Sequence, residues 1–228
     1  MHLKKRSLTV FIYGIVYHMN KKIQQQLVML DEIYGTDLKI FLNYRQPYEL
    51  LFATILSAQC TDKRVNEVTR ELFVKYGSLA DFAGADIGEL EKDIHSCGFY
   101  KMKANNIKAA ATVLTERYDG NVPSDIDELT ALPGVGRKTA NVVRTHVFRI
   151  PSVVVDTHVK RVSGRLGWTR EEDPVKIEHD LMKKIPEDHW CLINQHLIEL
   201  GRSICHSRKP GCGECFMADI CPKKGVGK

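Results

Sequence analysis

Four cysteines near the C-terminus stand as Cys205-x6-Cys212-x2-Cys215-x5-Cys221. Cys212 and Cys215 form a C-x2-C pair flanked by Gly211 and Gly213, a short turn that can aim two thiolates at one point. The outer two cysteines then close a four-sulfur cage. Four thiolates suit zinc or an iron–sulfur cluster, and spacing alone does not choose between them. Disulfides are the poorer reading, because four thiols bunched within seventeen residues of a chain unlike a small secreted scaffold make no disulfide framework. The other three cysteines, Cys60, Cys97 and Cys191, read as small core fillers.

A second constellation lies at L-P-G-V-G-R-K-T-A, residues 132–140. A helix ending near Leu132 meets a tight Gly134-Val135-Gly136 turn, and a new helix follows: a helix–hairpin–helix. Two glycines let the backbone approach an anion unobstructed, and free N–H groups of the turn and helix start can bind a phosphate. Such a turn can also be a mere compact connection, but Arg137 and Lys138 directly after it favour nucleic acid. Lys138 has two readings, a phosphate contact or a nucleophile. An amine at a helix N-terminus beside a guanidinium sits in positive potential, which favours its free-base form. Eighteen residues on, Asp156 follows three valines and precedes Thr157 and His158. It is either the N-cap of a helix starting at Thr157 or an acid held in a drier pocket.

The elements that must position these groups are helices. Ile23, Leu27, Leu30 and Tyr34 repeat at helical offsets, as do Ile107, Ala111, Leu114 and Tyr118, and Ile193, Leu197, Leu200 and Ile204. Residues 50–56 are almost continuously apolar, as in a helix buried on all sides. Ser124 with Asp127 marks one helix start, and Asp173 with Pro174 another. Only residues 153–155 look strand-like, too few for a sheet. The fold class is all-α, of one or two domains. With 228 residues, 43% hydrophobic and 27% charged, the chain can bury a core, and its composition suits a globular intracellular protein. No run of eighteen apolar residues predicts a membrane span. Residues 1–22 hold five Lys/Arg and no acid, and residues 201–228 hold six against two, so the segment between them is net acidic. Basic ends on an acidic body suit local contact with a polyanion, though a solvated tail fits the charge alone equally well.

Together these residues resemble the endonuclease III family of DNA glycosylases, within the helix–hairpin–helix superfamily. The resemblance runs over about residues 21–224. It rests on S-A-Q-x-T-D at 57–62, L-P-G-V-G-R-K-T-A-N at 132–141, V-D-T-H at 155–158 and the cysteine cage at 205–221, all in the family's order. It implies a six-helix barrel over residues 40–150 that holds the hairpin. A helical domain from residues 21–39 and 151–228 would carry a [4Fe–4S] cluster on Cys205, Cys212, Cys215 and Cys221. The implied partner is double-stranded DNA with a damaged base or abasic site, bound between the domains by a monomer, in the cytoplasm or, in a prokaryote, at the nucleoid. Lys138 matches the catalytic lysine and Asp156 the catalytic aspartate. Gln59 matches the residue that fills the space of a flipped base, and Phe99 stands where members place an apolar wedge. The hairpin residues Gly134, Val135, Gly136 and Arg137, with Arg208 and Lys209 in the cage loop, match DNA contacts. The implied activity is base excision of oxidised pyrimidines with AP-lyase cleavage. A mismatch thymine or uracil glycosylase, or a non-catalytic DNA-binding module, is the alternative.

Two departures stand out. Phe99 replaces a leucine common in bacterial members, and Thr130 falls where some carry an acid implicated in the lesion pocket. At the other end, Lys4, Lys5 and Arg6 before an apolar stretch resemble the first parts of a secretory signal, but no small-residue cleavage site follows. Residues 1–20 are therefore expected to be an N-terminal extension, of which 1–18 lie upstream of a start at Met19 or form a loosely ordered arm.

Overall fold

The computed structural model describes residues 20–227. The expected extension lies outside them except for Asn20, whose side chain accepts from the Lys22 N–H at 2.9 Å and caps the first helix. The described residues form eleven α-helices and two short 3-10 turns, without a strand. In order these are α1 (Lys21–Tyr34), α2 (Pro47–Leu56), α3 (Asp62–Lys75), α4 (Leu79–Gly84), α5 (Ile87–Asp93), α6 (Tyr100–Arg117), α7 (Ile126–Thr130), α8 (Arg137–His146), α9 (Thr157–Leu166), α10 (Pro174–Lys184) and α11 (Trp190–Ser203). None is long and apolar enough to cross a membrane.

Local chemistry sets most of these starts. Thr61, Ser78, Asp86, Asp156 and Asp173 each accept a hydrogen bond from the first turn that follows, which satisfies an otherwise orphaned donor. One expected cap moves. α7 is capped by Asp125, which accepts from Asp127 and Glu128, while the neighbouring Ser124 stays outside the helix. A carboxylate that holds two N–H groups outcompetes a hydroxyl one residue earlier. α8 differs from all of these. It begins at Gly136 with no side-chain cap.

The buried apolar side chains fall into two clusters. One, from Leu42 to Val143, lies among α2–α8, with α2 buried along residues 49–56. The other joins Ile23, Leu27 and Leu30 of α1 to side chains of α9, α10 and α11, with Val153 and Met217. The molecule thus has a barrel lobe continuous in sequence and a second lobe built from both ends of the described chain. The hairpin before α8 and the segment before α9 meet where the two lobes join.

Candidate catalytic and DNA-binding site

The two hairpin glycines do different jobs. Gly134 has φ +76°, and a β-carbon there would lie 2.7 Å from the Asn106 side chain on α6, so both conformation and packing demand glycine. Around Gly136 a β-carbon would meet nothing within 4 Å, which leaves the backbone of the helix start open to solvent. Val135 departs from its expected place on the DNA side. Its side chain is buried in the barrel core and its N–H is bonded to the Leu132 carbonyl at 3.1 Å, so it anchors the turn. The open donors lie just beyond. The N–H groups of Arg137, Lys138 and Thr139 have no hydrogen-bond partner among the described residues, and the first bonded amide of α8 is that of Ala140, to Gly136.

Arg137 and Lys138, adjacent in sequence, part company in space. The Arg137 guanidinium makes a two-point bond to the nearly buried Glu178 of α10, with Nε at 2.7 Å and Nη2 at 2.9 Å. The expected phosphate contact is therefore a brace between the lobes, and its pairing raises the Arg137 pKa. Lys138 is exposed, with no ion pair among the described residues. Three residues on, on the same helix face, Asn141 donates to the Val153 carbonyl at 3.2 Å. Asp156 follows Val153 by three residues. This tie sets the start of α8 beside the segment that ends in the aspartate.

Of the two readings of Asp156, the structure shows the cap. Oδ1 accepts from the His158 and Val159 N–H groups, both at 2.8 Å, and so caps α9. Oδ2 makes no such bond and lies 3.7 Å from the His158 ring nitrogen Nδ1. Burial lowers the His158 pKa, partly countered by Asp156, so the ring is neutral near pH 7 beside the carboxylate. Asp156 retains 16% side-chain exposure. One oxygen builds the helix; the other faces outward.

Gln59, Phe99 and Lys209 share an unusual backbone. Their φ values are +54°, +47° and +49°, in the left-handed region that non-glycine residues seldom enter. Phe99 precedes α6 and is 61% exposed, and Gln59 is exposed in the turn between α2 and α3. Arg208 and Lys209 are exposed in the loop after Cys205. Strained residues in exposed turns persist only where the surroundings over-determine them.

The four cage cysteines line one cavity of about 30 Å³, together with Leu200, Ile204, Ala218 and Val226. Burial pushes the Cys215 and Cys221 thiols up, and the charges of the other cage sulfurs push them further. Backbone N–H groups of Met217 and Lys223 act the other way. Positive charge in the cavity relieves that mutual repulsion, so the donor set fits a metal centre. No group of three or more Cys, His, Asp or Glu among the described residues converges on a single ion.

Sequence and structure comparisons bear on the whole arrangement. The pattern of HhH-GPD superfamily base excision DNA repair proteins matches residues 52–187, and that of the iron–sulfur binding domain of endonuclease III matches residues 205–221. Endonuclease III of Synechocystis is 53% identical over 79% of this chain and 83% of its own length. The chain belongs to the endonuclease III family. Among solved structures, a trapped endonuclease III–DNA covalent intermediate superposes with a TM-score of 0.84 at 43% identity, covering 89% of this chain and 95% of that one. A thermostable thymine-DNA glycosylase gives 0.78 at 27% identity, with 89% and 96% covered.

As an endonuclease III family member the protein has a [4Fe–4S] cluster as cofactor, and the iron–sulfur pattern runs from the first cage cysteine to the last. Sequence reading missed the side chains that brace this family's fold here. Arg165 of α9 donates to the Cys205 sulfur at 3.4 Å, the His206 carbonyl at 2.6 Å and the Ser207 carbonyl at 3.0 Å. Arg161, one turn earlier, donates to the Cys205 carbonyl at 3.2 and 3.3 Å. Two arginines four apart on a helix that follows V-D-T-H were the available signal. Glu178 offered none.

Proposed function

We propose that this protein removes oxidised pyrimidines such as thymine glycol from double-stranded DNA, with Lys138 as nucleophile and Asp156 as its acidic partner. Glycosylase and AP-lyase activity in base-excision repair come with the family. The observation that carries the residue assignment is the pair itself. An unpaired, exposed lysine sits in the open first turn of α8, joined through Asn141 to the segment that presents Asp156 Oδ2.

A base inside the stack is out of reach, so the duplex must be kinked and the nucleotide flipped, at a cost of about a few kcal/mol that is least for lesions that stack badly. The exposed Phe99 ring serves as a wedge and Gln59 fills the gap left behind. The first-turn amides of α8, with Arg208 and Lys209, hold phosphates. Lys138 Nζ then bonds to C1′ as the C1′–N bond breaks and the base leaves with the electron pair, taking up a proton. The sugar ring opens to an imine, loss of a C2′ proton expels the 3′ phosphate, and water hydrolyses the imine to free the lysine. Asp156 Oδ2 stabilises positive charge on the sugar, undisturbed by a neutral His158. The cluster, held by Cys205, Cys212, Cys215 and Cys221, supplies iron–thiolate bonds that shape the loop bearing Arg208 and Lys209.

The decisive assay is a duplex with one thymine glycol, incubated with enzyme and borohydride, beside a duplex with a G·T mismatch. A covalent adduct and strand cut that vanish in Lys138→Ala support the proposal. Base loss from the mismatch without an adduct would move the reading to a monofunctional thymine glycosylase.

A further inference from the structure

Lys103 is 2% exposed, yet no carboxylate lies close enough to influence it. Its three ammonium protons go instead to three backbone carbonyls, those of Leu56 at 2.8 Å, Ala58 at 2.7 Å and Cys97 at 2.9 Å. An ammonium has three donors and no acceptor, so its capacity is fully used. A buried charge is costly unless fully bonded, and a methionine would fill the same space without it. The barrel core gives no reason for a cation here. The identity of the three carbonyls does.

Leu56 ends α2, and Ala58 immediately precedes Gln59. Cys97 precedes Gly98 and Phe99. The Lys103 backbone N–H also donates to the Phe99 carbonyl at 3.1 Å. One side chain therefore ties both strained turns together at three carbonyls, while its own main chain continues α6 from Phe99. We propose that Lys103 is a positioning residue that clasps the Gln59 and Phe99 turns into one rigid unit, so that wedge and plug enter the duplex together. The compact ammonium is essential to this role. Three carbonyls converge on one nitrogen, which suits a tetrahedral donor and not the planar fork of arginine.

The inference rests on Gln59 and Phe99 being the residues that enter DNA, and the assays separate the two ideas. Single-turnover excision of thymine glycol is measured in duplex and in the same strand alone, where no opposite base leaves a gap to fill. Lys103→Met and Lys103→Arg, both verified as folded and cluster-loaded, should lose about 10- to 100-fold on duplex. On the single strand each should match the unaltered enzyme. Lys103→Met combined with Phe99→Ala should be no slower than Phe99→Ala alone, because both changes remove the same event. Equal losses on both substrates, additive losses in the double variant, or full duplex activity in Lys103→Arg would overturn the clasp. Should neither variant fold, hydrogen exchange on the unaltered protein decides. Amides of 57–60 and 97–99 must gain protection together on duplex binding, and protection of one segment alone overturns the proposal. An unaltered enzyme that excises nothing from duplex fails the functional reading instead.

Discussion

The barrel lobe buries Phe82 among rings, with Phe52 and Tyr76 both at 5.0 Å between centroids and Phe73 at 6.2 Å, all from one stretch of chain. The second lobe has a smaller apolar core and relies on polar ties between distant segments. Trp168 Nε1 donates to Gln26 Oε1 at 2.7 Å, the Lys39 N–H to Gln195 Oε1 at 2.8 Å, and Asn194 to the Val154 carbonyl at 3.0 Å. Past residue 205, Met217 is the only buried apolar side chain among the described residues. Non-directional burial suffices where the chain is continuous, whereas a lobe assembled from separate segments needs bonds that specify partners. The tail, without a helix and with Met217 as its one core residue among those described, is held by its thiolates and by Arg161 and Arg165.

The sharpest test of this contrast is removal of the cluster. Cys212→Ser should abolish the visible iron–sulfur absorbance and make residues 205–227 protease-sensitive, because structural metal sites contribute on the order of 10 kcal/mol. The barrel lobe should keep its near-ultraviolet circular dichroism; joint collapse of both lobes would break the comparison. Phe82→Ala is the converse experiment. It should cost about 3–5 kcal/mol in urea unfolding while the folded protein stays coloured.

The brace between the lobes comes next. Glu178→Gln leaves the Arg137 guanidinium poorly paired and should cost about 1–3 kcal/mol, with slower lyase turnover as the Lys138 turn loosens. Arg137→Met with Glu178→Leu should recover most of that stability but not the turnover. Stability that falls additively in the double variant would argue against a paired role.

Smallest near neutrality is the response to pH, which has opposite signs at two histidines, His146 in the barrel lobe and His189 in the second. Burial, with Arg149 nearby, pushes His146 of α8 down to about 4, so the barrel lobe loses stability as pH falls from about 6.5 towards 4. That loss is under ~1 kcal/mol at pH 6. His189 is opposed by burial, but hydrogen bonds to Asp188 and Asp31 prevail and raise it. Its contribution is therefore complete below about 6.5 and fades as pH rises through the raised value. In thermal melts across pH, His146→Phe should lessen the acid-side loss, the part that remains coming from His158 and His196, which burial also lowers, and His189→Gln should lessen the alkaline-side loss.

What sequence made legible was local. The cage spacing, the G-V-G turn, the Asp173–Pro174 start and Asp156 before α9 each need only a few neighbouring residues to be read. The fold class followed from periodicity for the same reason. What escaped was long-range or a competition between neighbours. Nothing around Arg137 announces Glu178, 41 residues away. Lys103, in the run Lys101-Met102-Lys103, looks like a solvated lysine until α6 is packed on two turns. Asp125 displaced Ser124 because both can cap and only geometry ranks them. Val135 shares the hairpin motif with two glycines but turns its side chain to the core.

Membership of α1 in the second lobe orders events during synthesis. Ile23, Leu27 and Leu30 leave the ribosome before any of the barrel, yet their partners on α9–α11 leave after all of it. The barrel lobe, continuous from α2 to α8, can close while α1 still carries a bare apolar stripe. α1 is thus sealed only when α11 has formed, and the cysteine tail emerges later still. Iron therefore enters a molecule whose larger core is already closed.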